Sequence, residues 1–187
     1  MRVIAGSAKA TRLTDAPSRQ VTRPLTDRAK EALFSILMPY IEDMRFCDLC
    51  AGTGSVGIEA LSRGAAWCDF VDRDRHCTAI ILENLRKTRF SECAGVYTQD
   101  IRTFLTRAGT PYDCLFIGQP YFSGLFTDTI HHLDAHADRL LTAHGIVVAQ
   151  AAPHEYDTVP VDTLQCYDLR RYGNVVFAFY RRESVTR

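Results

Sequence analysis

Residues 45–63 read RFCDLCAGTGSVGIEALSR, and the way this stretch folds decides the rest of the chain. Phe46 to Leu49 is a short apolar run interrupted by one acid, Asp48, as in a buried strand. Ala51-Gly52-Thr53-Gly54 is a tight glycine turn, and Val56, Ile58, Ala60 and Leu61 then recur at near-helical spacing. The expected order is strand, glycine turn, helix. Glycines let the backbone approach a ligand closely, and the first turn of the helix offers amides with no internal partner.

Two ligands compete for such a turn. Gly52, Gly54 and Gly57 match G-x-G-x-x-G, and Asp72 follows 20 residues after the first glycine, as dinucleotide sites require. Asp48 argues the other way, because dinucleotide sites keep the strand before the turn apolar. D-x-x-x-G-x-G resembles instead the S-adenosylmethionine (SAM) site of doubly wound methyltransferases, where the turn wraps a zwitterionic amino-acid tail. SAM is the favoured ligand, and NAD the alternative.

Outward from this stretch, strand-like and helical runs alternate. Thr26 is expected to cap a helix whose apolar face is Ala29, Ala32, Leu33, Ile36 and Leu37, with Arg28, Lys30 and Glu31 off it. Strands are expected at 67–71, 95–98, 112–117 and 146–149, and helices at 75–87, 101–107 and 126–141, the last ended by Gly145. Val3 to Ala8 reads as a short strand. Runs 161–169 and 175–180, joined only by Arg170-Arg171-Tyr172-Gly173-Asn174, must pair antiparallel. The predicted fold is α/β: a doubly wound, mostly parallel seven-stranded sheet closed by a C-terminal antiparallel hairpin, Rossmann-like in the manner of class I SAM-dependent methyltransferases. Residues 1–24 are expected to form a basic N-terminal arm or hairpin, and residues 25–187 the methyltransferase domain.

Charge sharpens that division. The 187 residues balance overall, yet residues 1–30 carry seven Lys/Arg against two acids, a net of +5 on a remainder of −5. A basic arm on an acidic body implies a polyanionic partner or a solvated arm. No apolar run approaches the ~20 residues of a membrane span, and the N-terminus lacks the apolar core of a secretory signal, so a cytoplasmic protein without a membrane partner is expected. Seven cysteines fall mostly in strand-like runs, as buried free thiols do. Cys47 and Cys50 have redox or metal spacing, but strand parity points them to opposite faces. Asp128, His132 and His136 share a helical face without a further ligand, so no metal site is assigned.

In a doubly wound sheet the ligand lies across the carboxyl ends of the strands, where strand order reverses. Asp48, Ala51, Gly52 and Gly54 are therefore assigned to the methionine end of SAM. Asp72 is placed to accept from both ribose hydroxyls, with Arg73 beside it, and Asp100 from the adenine amino group, with Ile101 against the ring.

Longer motifs carry a resemblance that runs nearly end to end: RVIAGSAKATRL, TRPLTDRAKEALFSIL, DLCAGTGSVGIEALSRGA, FVDRDR and RRYGN. With these the chain resembles the bacterial methyltransferases that modify the exocyclic N2 of a guanine in 16S ribosomal RNA. The resemblance implies a SAM cofactor, ribosomal RNA or the small subunit as partner, and action as a monomer. It places Arg23, Pro24 and Thr26 near the cofactor, and the basic residues Arg2, Lys9, Arg12 and Arg19 fall to the RNA. One motif departs: the family carries Asp-Pro-Pro-Tyr/Phe after the fourth strand, and this chain reads Gly118-Gln119-Pro120-Tyr121. That motif accepts hydrogen bonds from the target amine and stacks an aromatic ring on the flipped base. Gly118 brings no side chain. Three outcomes stay open: catalysis through the Gly118 or Gln119 carbonyls and the Gln119 amide, binding of SAM and RNA with little or no transfer, or a changed residue in an otherwise ordinary enzyme. An NAD-dependent oxidoreductase and a DNA-adenine methyltransferase are the remaining alternatives.

Overall fold

The structure, a computed structural model, describes residues 1–15, 25–118, 125–151 and 159–182. The sheet is built from β1 (Arg45–Leu49), β2 (Trp67–Asp72), β3 (Ala94–Thr98), β4 (Tyr112–Ile117), β5 (Leu141–Ala151), β6 (Leu164–Tyr172) and β7 (Val175–Arg182). Its order is β3-β2-β1-β4-β5-β7-β6. The first five strands are parallel, and β7 runs antiparallel between β5 and β6. The order reverses between β1 and β4, which opens a crevice at their carboxyl ends.

Among the described residues, six α-helices cover the two faces: α1 (Asp27–Leu37), α2 (Ser55–Ser62), α3 (Arg75–Thr88), α4 (Ile101–Arg107), α5 (Leu125–Ala135) and α6 (Ala137–Leu140). One core joins α1, α2 and α3 to Phe46, Phe70, Phe116, Phe177 and Phe179 of the sheet. The other joins α4, α5 and α6 to Leu49, Leu115, Val147 and Tyr180. Alternate strand residues serve alternate cores, as the twofold repeat of a strand dictates.

Several readings of the chain shift. Lys30, expected off the apolar face of α1, is fully buried and meets the equally buried Glu59 at 3.3 Å. Val3 to Ala8 is not a strand: a single bridge, Arg2 to Arg12, closes a compact loop whose Val3 and Leu13 enter the α1–α3 core. The helix expected over 126–141 divides at His136, and Gly145 lies inside β5 rather than ending a helix. A Cβ there would stand 2.7 Å from the Tyr112 carbonyl oxygen, so close strand packing, not helix termination, explains this glycine. The hairpin closes through Gly173-Asn174 alone, with Tyr172 opposite Val175, so Arg170 to Tyr172 are strand. The parity argument for Cys47 and Cys50 also fails. Cys50 lies past the end of β1 at φ +59°, and both thiols touch the α4–α6 core. All seven cysteines are free.

A candidate cofactor site at the sheet switch point

The turn after β1 is shaped by three left-handed residues, Cys50, Gly52 and Gly54, at φ between +57° and +76°. Gly54 is the N-cap of α2 and has no side chain to serve its amides. Asp48 supplies the missing acceptor from below: its Oδ2 takes the Gly57 amide at 2.9 Å. Gly57 itself is packed so tightly on β2 that a Cβ would lie 2.4 Å from Phe70 Cε1. Asp48 is 1% exposed, and burial pushes its carboxyl up to about 8 despite the Gly57 bond. It is therefore mostly protonated at neutral pH and sits behind the turn as its support.

Asp72, at the end of β2, closes the turn from the other side. Its Oδ2 accepts from Gly52 N at 2.8 Å and its Oδ1 from Asp74 N at 2.9 Å. Burial raises its carboxyl, and these two amides oppose the rise. A carboxylate offers about four lone-pair sites, so two backbone donors leave room for a pair of hydroxyl donors. Asp100 follows β3 and caps α4, accepting from Arg102 N at 2.8 Å. Ile101 beside it is 9% exposed and packs mainly into the α4–α6 core. Ala51 donates to the Val71 carbonyl at 3.0 Å, which ties the turn to β2.

Cys50, in the turn after β1, feels the charge of all three acids. Its thiol is pushed up to about 12, first by burial, then by Asp72 and Asp48, with Arg73 opposing and Asp100 adding to the rise. Gly118 adjoins the same residue: it donates to the Leu49 carbonyl at 3.0 Å, and a Cβ on it would lie 3.6 Å from the Cys50 oxygen. The first position of the strand-four motif thus borders the glycine turn. Gln119, Pro120 and Tyr121 lie outside the described residues, as do Arg19, Arg23 and Pro24. Thr26 caps α1 through its Oγ1, which accepts from Ala29 N at 3.2 Å. Of the basic residues assigned to RNA, Arg2, Lys9 and Arg12 are exposed, and Arg2 pairs with Asp27 at 3.1 Å.

Two buried polar residues escaped the sequence reading. Glu59 on α2 accepts the Ile4 and Ala5 amides at 2.8 and 3.0 Å and pairs with Lys30 and Arg63. Asn84 on α3 bonds Thr14 and the Thr53 carbonyl. A signal existed for Asn84, which shares a helical face with Cys77, Ile81, Leu85 and Thr88, where an amide must find partners. On the helical face that carries Asp128, His132 and His136, the two imidazoles stack at 4.6 Å, and Asp128 is held by Arg102 at 2.7 Å. Among the described residues no cluster of ligands could hold a metal ion, and no helix is long and apolar enough to cross a membrane.

A doubly wound sheet closed by an antiparallel hairpin, with acids gathered at its switch point, defines a class I methyltransferase. Comparison with known proteins agrees. The family model described as Conserved hypothetical protein 95 matches residues 1–181. Ribosomal RNA small subunit methyltransferase D of Escherichia coli strain K12 is 33% identical, covering 98% of this chain and 91% of that protein. The putative rRNA methyltransferase YlbH of Bacillus subtilis is 34% identical, covering 98% of this chain and all of that one. A solved structure described as the putative methyltransferase yhhF from Escherichia coli superposes with a TM-score of 0.84 at 30% identity, covering 98% of both chains. The chain belongs to the ribosomal RNA small subunit methyltransferase D family.

Proposed function

We propose that this enzyme transfers a methyl group from SAM to the exocyclic N2 of a guanine in small-subunit ribosomal RNA, working in the cytoplasm as a monomer. One observation carries the reading: Asp48 and Asp72 hold the glycine turn through the Gly57 and Gly52 amides, and Gly118, which donates to the Leu49 carbonyl, borders the same turn at Cys50. The residues suit the cofactor. Asp72 keeps acceptor capacity for two ribose hydroxyls, Asp100 at the start of α4 is assigned to the adenine amino group, and the Gly52–Gly54 turn has left-handed backbone suited to an amino-acid tail. Bound there, SAM would supply an electrophilic methyl group. The chain's part is placement: the backbone around Gly118 accepts hydrogen bonds from the target amine and aims its lone pair at the cofactor side. An amine conjugated to guanine is a weak nucleophile, so orientation and proximity supply much of the rate. The basic arm of residues 1–24, through Arg2, Lys9, Arg12 and Arg19, would meet the phosphate backbone, where contacts position rather than specify.

The absent side chain at Gly118 favours a second reading, in which SAM and RNA bind but transfer is slow. A thermal shift with SAM, S-adenosylhomocysteine (SAH) and NAD, followed by labelled-methyl transfer to small subunits lacking the modification, separates the cases. SAM binding with transfer supports the proposal. Binding without transfer supports the second reading, and stabilisation by NAD alone refutes both.

A further inference from the structure

Asn84 is fully buried, 0% exposed, and its side-chain amide makes three hydrogen bonds that join α3 to two distant segments of the chain. Its Oδ1 accepts from the Thr14 amide at 2.7 Å. One hydrogen of its Nδ2 goes to the Thr14 carbonyl at 3.1 Å and the other to the Thr53 carbonyl at 3.0 Å. The amide can face only one way, because a flip would set its NH2 against the Thr14 N–H and its oxygen against two carbonyls. Thr14 belongs to the N-terminal arm, and Thr53 sits in the middle of the glycine turn, itself 5% exposed.

The neighbours reinforce this clasp. The Thr14 hydroxyl donates to Glu83 Oε1 at 2.6 Å and accepts from Lys87 Nζ, both on α3. At the other end of the arm, the Thr53 hydroxyl reaches the Met1 sulfur at 3.9 Å, and the Met1 carbonyl accepts the Leu13 amide at 3.0 Å. Thr53 is therefore tied to the arm directly through Met1 and indirectly through Asn84. Glu59 fastens the arm separately, through the Ile4 and Ala5 amides, to α2, the helix that follows the turn.

From this we propose that Asn84 is a positioning residue that links the glycine turn to the N-terminal arm, so that a ligand ordering the turn also orders the arm. The inference rests on the reading of the turn as a SAM site and of the arm as the part that meets RNA. Physically, the turn carbonyl and the arm backbone share one side-chain amide, so displacement of either strains a bond to the other in a place where water cannot replace it. Reciprocity follows: an anion that fixes the arm tightens the cofactor site by the same factor.

The test is amide hydrogen exchange of the full chain with and without SAH, alongside SAH affinity by calorimetry. In wild type, SAH is expected to slow exchange over residues 51–54 and over residues 11–15. In Asn84→Ala, SAH should bind about tenfold more weakly and slow exchange over 51–54 only. A residue that merely stabilised the fold would lower the Tm and leave the protection of the arm intact. Asn84→Ser, whose hydroxyl can serve only one of the two carbonyls, gives the same comparison if the alanine variant does not fold. Arm protection that persists in either variant, or is absent from wild type that binds SAH, overturns the proposal. Wild type that binds no SAH overturns the SAM reading and this inference with it.

Discussion

Replacing Asp48 by Asn should change how stability depends on pH while leaving the turn in place. Asn is isosteric, and its Oδ1 can still accept from Gly57 N, the bond that supports the first turn of α2. What disappears is a proton equilibrium. Burial lifts the Asp48 carboxyl from 3.8 to about 8 in the fold. Between those values the native chain keeps a proton that the unfolded chain has lost, so native stability falls as pH rises. The slope is about 1.4 kcal/mol per pH unit, present from pH 4 to 8 and gone on either side. The wild type is thus expected to lose roughly 3 kcal/mol relative to Asp48→Asn between pH 5 and pH 7, and to lose little more beyond pH 8. Taking the difference between the two proteins cancels the titrating groups that do not feel Asp48; Asp72, whose charge helps to raise Asp48, is coupled to it and adds a smaller contribution. Urea unfolding at a series of pH values, followed by circular dichroism, measures it. Parallel stability curves for the two proteins would refute the argument, because they would mean that Asp48 titrates alike folded and unfolded.

Glu59→Ala leaves Lys30 buried without its counter-charge and should cost about 3–5 kcal/mol in denaturant unfolding. Burial already lowers the Lys30 ammonium, with Glu59 opposing, so the native variant sheds that proton before the unfolded chain does. Its deficit should therefore shrink as pH rises towards 10.5, the ordinary lysine value. Gly57→Ala forces a methyl group to within 2.6 Å of both Phe70 Cε1 and Cys68 Sγ, lifting α2 from β2; a loss of about 1–3 kcal/mol should lower the Tm by roughly 2–12 °C and weaken SAH binding in calorimetry. A Cβ at Gly118 would stand 3.1 Å from Phe116 Cε1, so Gly118→Asp requires Phe116 to yield by a few tenths of an ångström. That variant should fold and raise labelled-methyl transfer to small subunits about tenfold or more. No gain in rate would mean that a missing carboxylate does not limit transfer.

Much of the frame was legible from local pattern. The bounds of α4 (Ile101–Arg107) and β4 (Tyr112–Ile117) were read directly from spacing and neighbours, as was the cap at Thr26. Strand, glycine turn and helix over 45–62 followed from periodicity and two glycines, and alternation along the chain implied the doubly wound sheet. Misreadings arose where a residue answers to something distant. Gly145 looked like a helix stop until the Tyr112 carbonyl explained it, and Lys30 looked solvated until Glu59 appeared opposite.

The sequence alone therefore determined the order of elements, the location of the glycine turn and the acids that close the first three strands, because each is written in spacing over a few residues. Only the tertiary structure decided what the polar residues do. Asp48 lies beneath the turn with a raised carboxyl, Glu59 neutralises a buried lysine, and Asn84 joins residues 70 and 31 positions away. Burial and partnership set the protonation and role of such groups, and both arise only when distant segments meet.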